Sequence, residues 1–368
     1  MRKHLKFVVL CLVAGLALWW FGRNMDWAAA SAAMGRADWR LIALAVVVVW
    51  ATYLLRAFRW KTLLRPLAPR ASLREAFAAT TVGFGAIFLL GRAGEVVRPA
   101  FLPLRDRNVR PGAAFVTIAV ERVCDIAAVI LLFAANLLFL RLPGADETTF
   151  ARIREAGLVL FAGAVVGLGA LVWFGRRTKG VTAWLDARVE RLPGVLGRVG
   201  VVIVGLLGQL GRTLGVLADW RALLATAGWT VALWAAITLA NMLVLRAFGL
   251  SVGASETVFV LGWSLVGSVV PTPGAGAGTY HAATSHGLVY YLGFPETESK
   301  AAVIILHLVV FGSATVFGLY YFLRSGFSVA RLRELVAAEE AEAKTAGQSA
   351  TPHGGKAESA GTARVASA

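Results

Sequence analysis

Three charged residues recur at helical spacing in the stretch GRAGEVVRP, residues 91–99. Arg92, Glu95 and Arg98 stand at i, i+3 and i+6, so on a helix they form one ridge with a carboxylate between two guanidiniums. The planar fork of arginine suits bidentate pairing with carboxylate or phosphate. A second cluster lies in TIAVERVCDIAAV, where Thr117, Glu121 and Asp125 share a face at i, i+4 and i+8, beside Arg122. A third run, PTPGAGAGTYH, brings together Pro273, Gly274, Gly276, Gly278, Tyr280 and His281, and His307 follows in the next apolar segment.

Each cluster has a chemical and a structural reading. The arginines attract an anionic group, or they snorkel from a helix end to the headgroup layer. Charges as deep as Glu121 and Asp125 cost about 2.5–3.5 kcal/mol each on insertion scales and face a partner or a wet path. Arg122 neutralises one acid; the other needs Arg92 or Arg98, either as a structural ion-pair cluster or as part of a site. A half-helix starting near Gly278 offers its positive end to an anion, or the glycines only let helices pack closely. His281 and His307 are packing residues or a proton relay. Neither a metal-binding pair of histidines with a carboxylate nor a Walker, Rossmann, hydrolase-elbow or HExxH pattern is present, so the sequence calls for no metal, cofactor or catalytic residue.

The elements that must position these residues are membrane helices. Of the 368 residues 58% are hydrophobic and 16% charged, well below the roughly 25% charged of soluble domains. A net charge of +16 in a soluble chain would suggest nucleic acid. Here the basic residues fall between apolar runs, where they set orientation and meet anionic lipid. No nucleic-acid partner is expected. Cys11 and Cys124 lie inside apolar runs and read as core residues.

Apolar runs cover about 5–22, 41–58, 76–90, 111–140, 156–174, 222–247, 254–270, 274–293 and 300–323. The first follows a basic head and reads as an uncleaved helix rather than a signal peptide. The positive-inside rule places both termini in the cytoplasm, together with the loop bearing Arg56, Arg59, Lys61 and Arg65. The arginines after residue 91 also belong inside, so about 72–92 is expected to be a re-entrant hairpin broken at Gly83 and Gly85. By the same count 254–293 enters from the opposite side, broken by its prolines and glycines. The expectation is an all-α bundle over 1–325, with about six full spans and two opposed hairpins in a possible inverted repeat. Amphipathic cytoplasmic helices are expected at about 180–221 and a disordered cytoplasmic tail at 338–368.

At these residues the sequence resembles the flippase-like membrane domain of lysylphosphatidylglycerol synthases and its stand-alone relatives. GRAGEVVR matches that family's G-R-x-G-E-x-x-R, ERVCD its E-R-x-x-D, and PTPGAGAG its P-x-P-G-G-x-G. The likeness covers about residues 5–325, without the synthase's soluble aminoacyl-transferase domain. Where members usually carry Glu after the glycine turn, this chain has His281, as in a subgroup with a second histidine that His307 matches. The resemblance implies a multi-pass protein of the bacterial inner (plasma) membrane that moves a polar, phosphate-bearing lipid, anionic or polyprenyl-phosphate. The alternatives are a membrane-embedded transferase on lipid-linked substrates and a non-transporting partner of a cell-envelope synthase.

Overall fold

Backbone amides in hydrocarbon find no water, so an apolar chain satisfies them within helices. The computed structural model follows that rule: among the described residues every element is helical. It describes residues 25–140, 147–189, 219–270 and 272–326, with Glu334 and parts of 12–23; at some of these, Arg92 and Pro273 included, only the backbone is described. The start of the first apolar run, residues 190–218 of the expected cytoplasmic helices and the 338–368 tail lie outside this set.

A short helix α1 (Trp27–Arg36) precedes α2 (Trp39–Leu64), which Asp38 caps by accepting from the Arg40 N–H at 2.9 Å. The first hairpin is α3 (Leu73–Leu90), a 3₁₀ turn (Gly91–Val96) and α4 (Val97–Arg105). Helices α5 (Pro111–Leu137) and α6 (Glu147–Val189) follow, then α7 (Trp220–Ala247), capped by Asp219. The second hairpin is α8 (Ala254–Gly267), a turn at Pro273–Gly276 and α9 (Thr279–His286). The chain ends its described part with α10 (Glu296–His307) and α11 (Ala314–Leu323), joined through a π turn at Leu308–Gly312. A long helix, a hairpin and a long helix thus occur twice in the same order.

Three of these helices are long and apolar enough to cross a membrane: Trp39–Leu64, Trp220–Ala247 and Glu296–Leu323. Helix α5 has the length, 27 residues, but carries Glu121, Arg122 and Asp125 in its body. Helix α6 is continuous over 43 residues, about 64 Å at 1.5 Å per residue. Residues 180–189 therefore continue the preceding helix, where a separate cytoplasmic helix was expected.

The first hairpin breaks at a different place from the one expected. Helix α3 runs unbroken through Gly83 and Gly85, and the reversal comes at Gly91, whose φ of 64° is left-handed. The two earlier glycines serve contact instead: a Cβ on Gly83 would lie 2.6 Å from Cβ of Arg98, and Gly85 faces Thr315 and Gly318 of α11. The base of this hairpin is closed by Asp106, which accepts from the Ser72 N–H at 2.7 Å, and by a bidentate Arg105–Glu75 ion pair.

The arms of the second hairpin touch through backbone: a Cβ on Gly267 would lie 2.6 Å from the Thr279 carbonyl. Its turn then packs against α3 and against the Gly91–Val96 turn, so the two hairpin tips meet. Elsewhere α2 packs along α7, and α3 along α11.

The second turn holds left-handed backbone at Gly274, Gly276 and Gly278 and also at Ala275, with φ 54°. A non-glycine residue there costs roughly 1–2 kcal/mol, partly offset by the smaller chain entropy of unfolded alanine. Ala275→Gly should therefore stabilise the protein by about 0.5–1 kcal/mol, read as a higher Tm of the detergent-purified chain.

Candidate functional site

Helices α2, α4 and α5 bring four arginines and two acids into one cluster. Thr117, Glu121 and Asp125 are all buried, as their shared face on α5 requires. Glu121 is fully buried, and its Oε1 accepts from Arg98 at 2.5 Å and lies 3.1 Å from Arg59 and 3.2 Å from Arg122. Asp125 takes Arg59 at 2.6 Å and Arg122 at 3.0 Å, with Arg56 farther off at 3.9 Å. Arg59, itself fully buried, spans both acids and also donates to the Thr230 hydroxyl of α7 at 3.2 Å. Trp60 supports the cluster: its indole donates to Thr117 at 2.9 Å, and the Arg98 guanidinium lies 4.3 Å over its ring.

Arg98 is thus the partner that the sequence expected for the α5 acids. The rest of the expected ridge divides. Glu95 is exposed while Arg98 is buried, because the chain winds as a 3₁₀ turn through residue 96 and becomes α-helical only at Val97. The carboxylates that hold Arg98 and its neighbours come from α5, not from Glu95. The side chain of Arg92 lies outside the described residues.

Sequence reading missed Arg56 and Arg59. Both were assigned to a cytoplasmic loop, whereas α2 continues to Leu64 and turns them onto the acids. Charge could not have found them, because the two acids had already been given two arginines; the helical phase of α2 could have. Arg56 and Arg59 stand at i, i+3, in phase with buried Thr52 and Tyr53.

The balance of the cluster is its main electrostatic feature. Four guanidiniums face two carboxylates, an excess of two positive charges. Several buried donors, Nε of Arg56, Nε and Nη2 of Arg98, have no hydrogen-bond partner among the described residues. The geometry of these donors suits an anion with more than one oxygen, and the buried Oε2 of Glu121 likewise has no hydrogen-bond partner among the described residues. Arg122, with 42% of its side chain exposed, is the member open to the surroundings. Because Arg59 must reach two acids with separate nitrogens, Arg59→Lys should weaken the cluster by about 1.5–3 kcal/mol, seen as a lower Tm despite the conserved charge.

On the second hairpin, Gly278, Tyr280 and His281 are buried, with Gly274 and Gly276 in the turn; the Pro273 side chain lies outside the described residues. Nδ1 of His281 accepts from the Gly278 N–H at 3.1 Å, so this imidazole caps the first turn of α9. His281 and His307 pack with ring centroids 4.7 Å apart, among Tyr280, Phe21 and Phe311. Among the described residues no group of three or more His, Cys, Asp or Glu side chains is placed to hold a metal.

Comparison with known proteins adds a family. Residues 7–318 match the family model described as the lysylphosphatidylglycerol synthase TM region. The chain is 25% identical to Glycosyltransferase AglD of Haloferax volcanii over 329 residues, 83% of this chain and 52% of that protein. It is 26% identical to the UPF0104 membrane protein PH1989 of Pyrococcus horikoshii over 145 residues, 38% of this chain and 41% of that one. The chain therefore spans about half, or less, of the curated relatives it matches. No solved structure matches it.

Proposed function

This chain belongs to the lysylphosphatidylglycerol synthase TM region family, and on that premise we propose that it is a lipid transporter. It would move a polar, phosphate-bearing lipid across the membrane between the two hairpins. The observation that supports this reading is the excess of guanidinium over carboxylate formed by the buried Arg59 and Arg98, the largely buried Arg56 and the part-exposed Arg122. In hydrocarbon such an excess calls for an anion, and the anion abundant at a bilayer surface is lipid phosphate. Glu121 and Asp125 hold the arginines apart and share their charge, so that a phosphate is bound and also released. The meeting of the hairpin tips supports a path between them, as in transporters whose broken helices converge near the midplane.

The test is reconstitution of the full chain in liposomes with fluorescent phospholipids and polyprenyl-phosphate lipids. The expected result is transbilayer movement by the wild type and a loss of about tenfold or more in Arg98→Gln, the scale of one charge-assisted contact. Liposomes in which no lipid moves, or in which Arg98→Gln moves it equally well, would overturn the reading.

A second reading follows from the likeness to the Haloferax glycosyltransferase. On this reading the chain is a membrane-embedded transferase on lipid-linked substrates, or a non-transporting subunit that holds a partner enzyme. It predicts a covalent product by mass spectrometry, or co-purification of an enzyme, with a phenotype insensitive to Arg98→Gln.

A further inference from the structure

A vestibule of 510 Å³ opens at the end of the bundle where α10 begins. Helix α10 packs there against α1, and α2 runs from that end towards Arg59, so the vestibule lies opposite the arginine cluster. Arg23, Ser285, His286, Glu296 and Lys300 form its polar wall, and Phe21 part of the rest. A second, inner space lies against the middle of α2, lined among others by Tyr53, Arg56, Trp234, Asn241, Tyr280 and Phe311. It suits water. Nε of Arg56 and Nε1 of Trp234 are buried donors, and Oδ1 of Asn241 a buried acceptor, without a hydrogen-bond partner among the described residues. Its 130 Å³ has room for several waters between such groups. Arg56 joins this space to the cluster through Asp125, 3.9 Å away.

A row of rings stands between the two spaces. Phe21 of the vestibule contacts His281 at a centroid distance of 5.2 Å, and His281 contacts His307 at 4.7 Å. His307 in turn contacts Tyr280 at 4.9 Å and Phe311 at 5.1 Å, both in the inner wall. The order repeats along the chain. On α9, Tyr280 lines the inner space and Ala282 and Ser285 the vestibule, with His281 between; on α10, Glu296 and Lys300 line the vestibule, and Phe311 lies one turn past His307. The ionisable groups around the pair are those of the vestibule on one side and Tyr53, Arg56 and Tyr280 on the other, while α3 presents Phe88.

The two imidazoles differ. Nδ1 of His281 accepts from Gly278, so its proton sits on Nε2. His307 is buried, and its Nε2 has no hydrogen-bond partner among the described residues. Packing leaves that nitrogen without a role, since a phenyl ring would fill the space without burying an unsatisfied polar atom. We infer that His307, with His281, is a proton-transfer site that couples lipid transport to a proton gradient. A proton from the vestibule is taken up by the pair, resides on Nε2 of His307 and leaves to water of the inner space, and both rings end neutral. Phe21 closes the vestibule side, so entry requires that ring to move. His307 also hydrogen-bonds the backbone of Gly274 and Ala275, in the turn that packs against Gly91–Val96. Its charge therefore acts where the two hairpin tips meet. The inference rests on the transport reading for the cargo that the proton accompanies.

The test uses the full chain in liposomes that carry fluorescent phosphatidylglycerol and polyprenyl phosphate, with the pH dye pyranine trapped inside and a pH difference of about one unit imposed. With one proton per lipid, that difference supports about a tenfold ratio of lipid between the leaflets. Wild type should pass protons, read by pyranine, and gather lipid in one leaflet towards that ratio. His307→Phe keeps a ring in the row, and His307→Gln keeps an N–H for the Gly274–Ala275 backbone; both remove the titrating nitrogen and should lose proton entry and the lipid asymmetry. Lipid that moves in wild type without proton entry or asymmetry overturns the inference and leaves transport standing. Coupling as in wild type by either folded variant overturns His307 as the site. Proton entry that both variants abolish, with no lipid moved by wild type, leaves the proton site standing and removes the transport reading instead.

Discussion

Glu121→Gln should destabilise the protein by about 3–5 kcal/mol, the cost of leaving buried charges without their partner. The fully buried carboxylate ties Arg59, Arg98 and Arg122 together at 2.5–3.2 Å, and each loses its shared counter-charge in the variant. Four guanidiniums would then face Asp125 alone. Thermal unfolding of the purified chain should show a large fall in Tm, or the variant should fail to accumulate. Glu121→Asp keeps the charge one methylene short of its partners and should recover part of the loss. Glu121→Gln with an unchanged Tm would mean that the cluster contributes no cohesion to the fold.

The second large effect is expected at the tip of the first hairpin. A Cβ on Gly94 would stand 2.4 Å from the Ala86 carbonyl carbon and the Ile87 nitrogen, and 2.6 Å from the Ala86 oxygen. These are backbone atoms of α3, which cannot rotate aside as a side chain can. Gly94→Val should therefore open the turn, at a cost of about 1–3 kcal/mol or more, and lower both Tm and lipid transport. Gly228→Ala on α7 is the matched control. Gly228 is exposed with nothing within 4 Å of its added Cβ, so an exposed change of this kind should stay within about 0.5 kcal/mol of wild type or gain slightly. Equal behaviour of the two variants would contradict the close tip.

Much of this organisation is legible in the sequence because a bilayer is a demanding solvent. The apolar runs specify helices, and the α3–α4 reversal falls at the end of the stretch where the following arginines led the sequence to expect a hairpin. The face shared by Glu121 and Asp125 also required an arginine from outside their helix, and Arg98 is one. What the sequence did not reveal came from reading charge as topology. Arginine near the end of an apolar run satisfies the positive-inside rule wherever it points, so Arg56 and Arg59 looked like loop residues. Only the tertiary placement of α2 against α5 shows them facing acids. Glycine was ambiguous for a related reason. It permits both a break and a close approach, and Gly83 and Gly85 are used for the second while Gly91 makes the turn. The ridge expected at Arg92, Glu95 and Arg98 assumed α-helical periodicity, which the 3₁₀ turn does not have.

Whether the guanidinium excess binds lipid phosphate can be read by native mass spectrometry of the full chain released from the membrane. Wild type should carry anionic phospholipid or polyprenyl phosphate selected over the bulk membrane composition, and Arg98→Gln, folded by its Tm, should lose that selection. Wild type that retains zwitterionic and anionic lipids in the proportions of the surrounding membrane would contradict it.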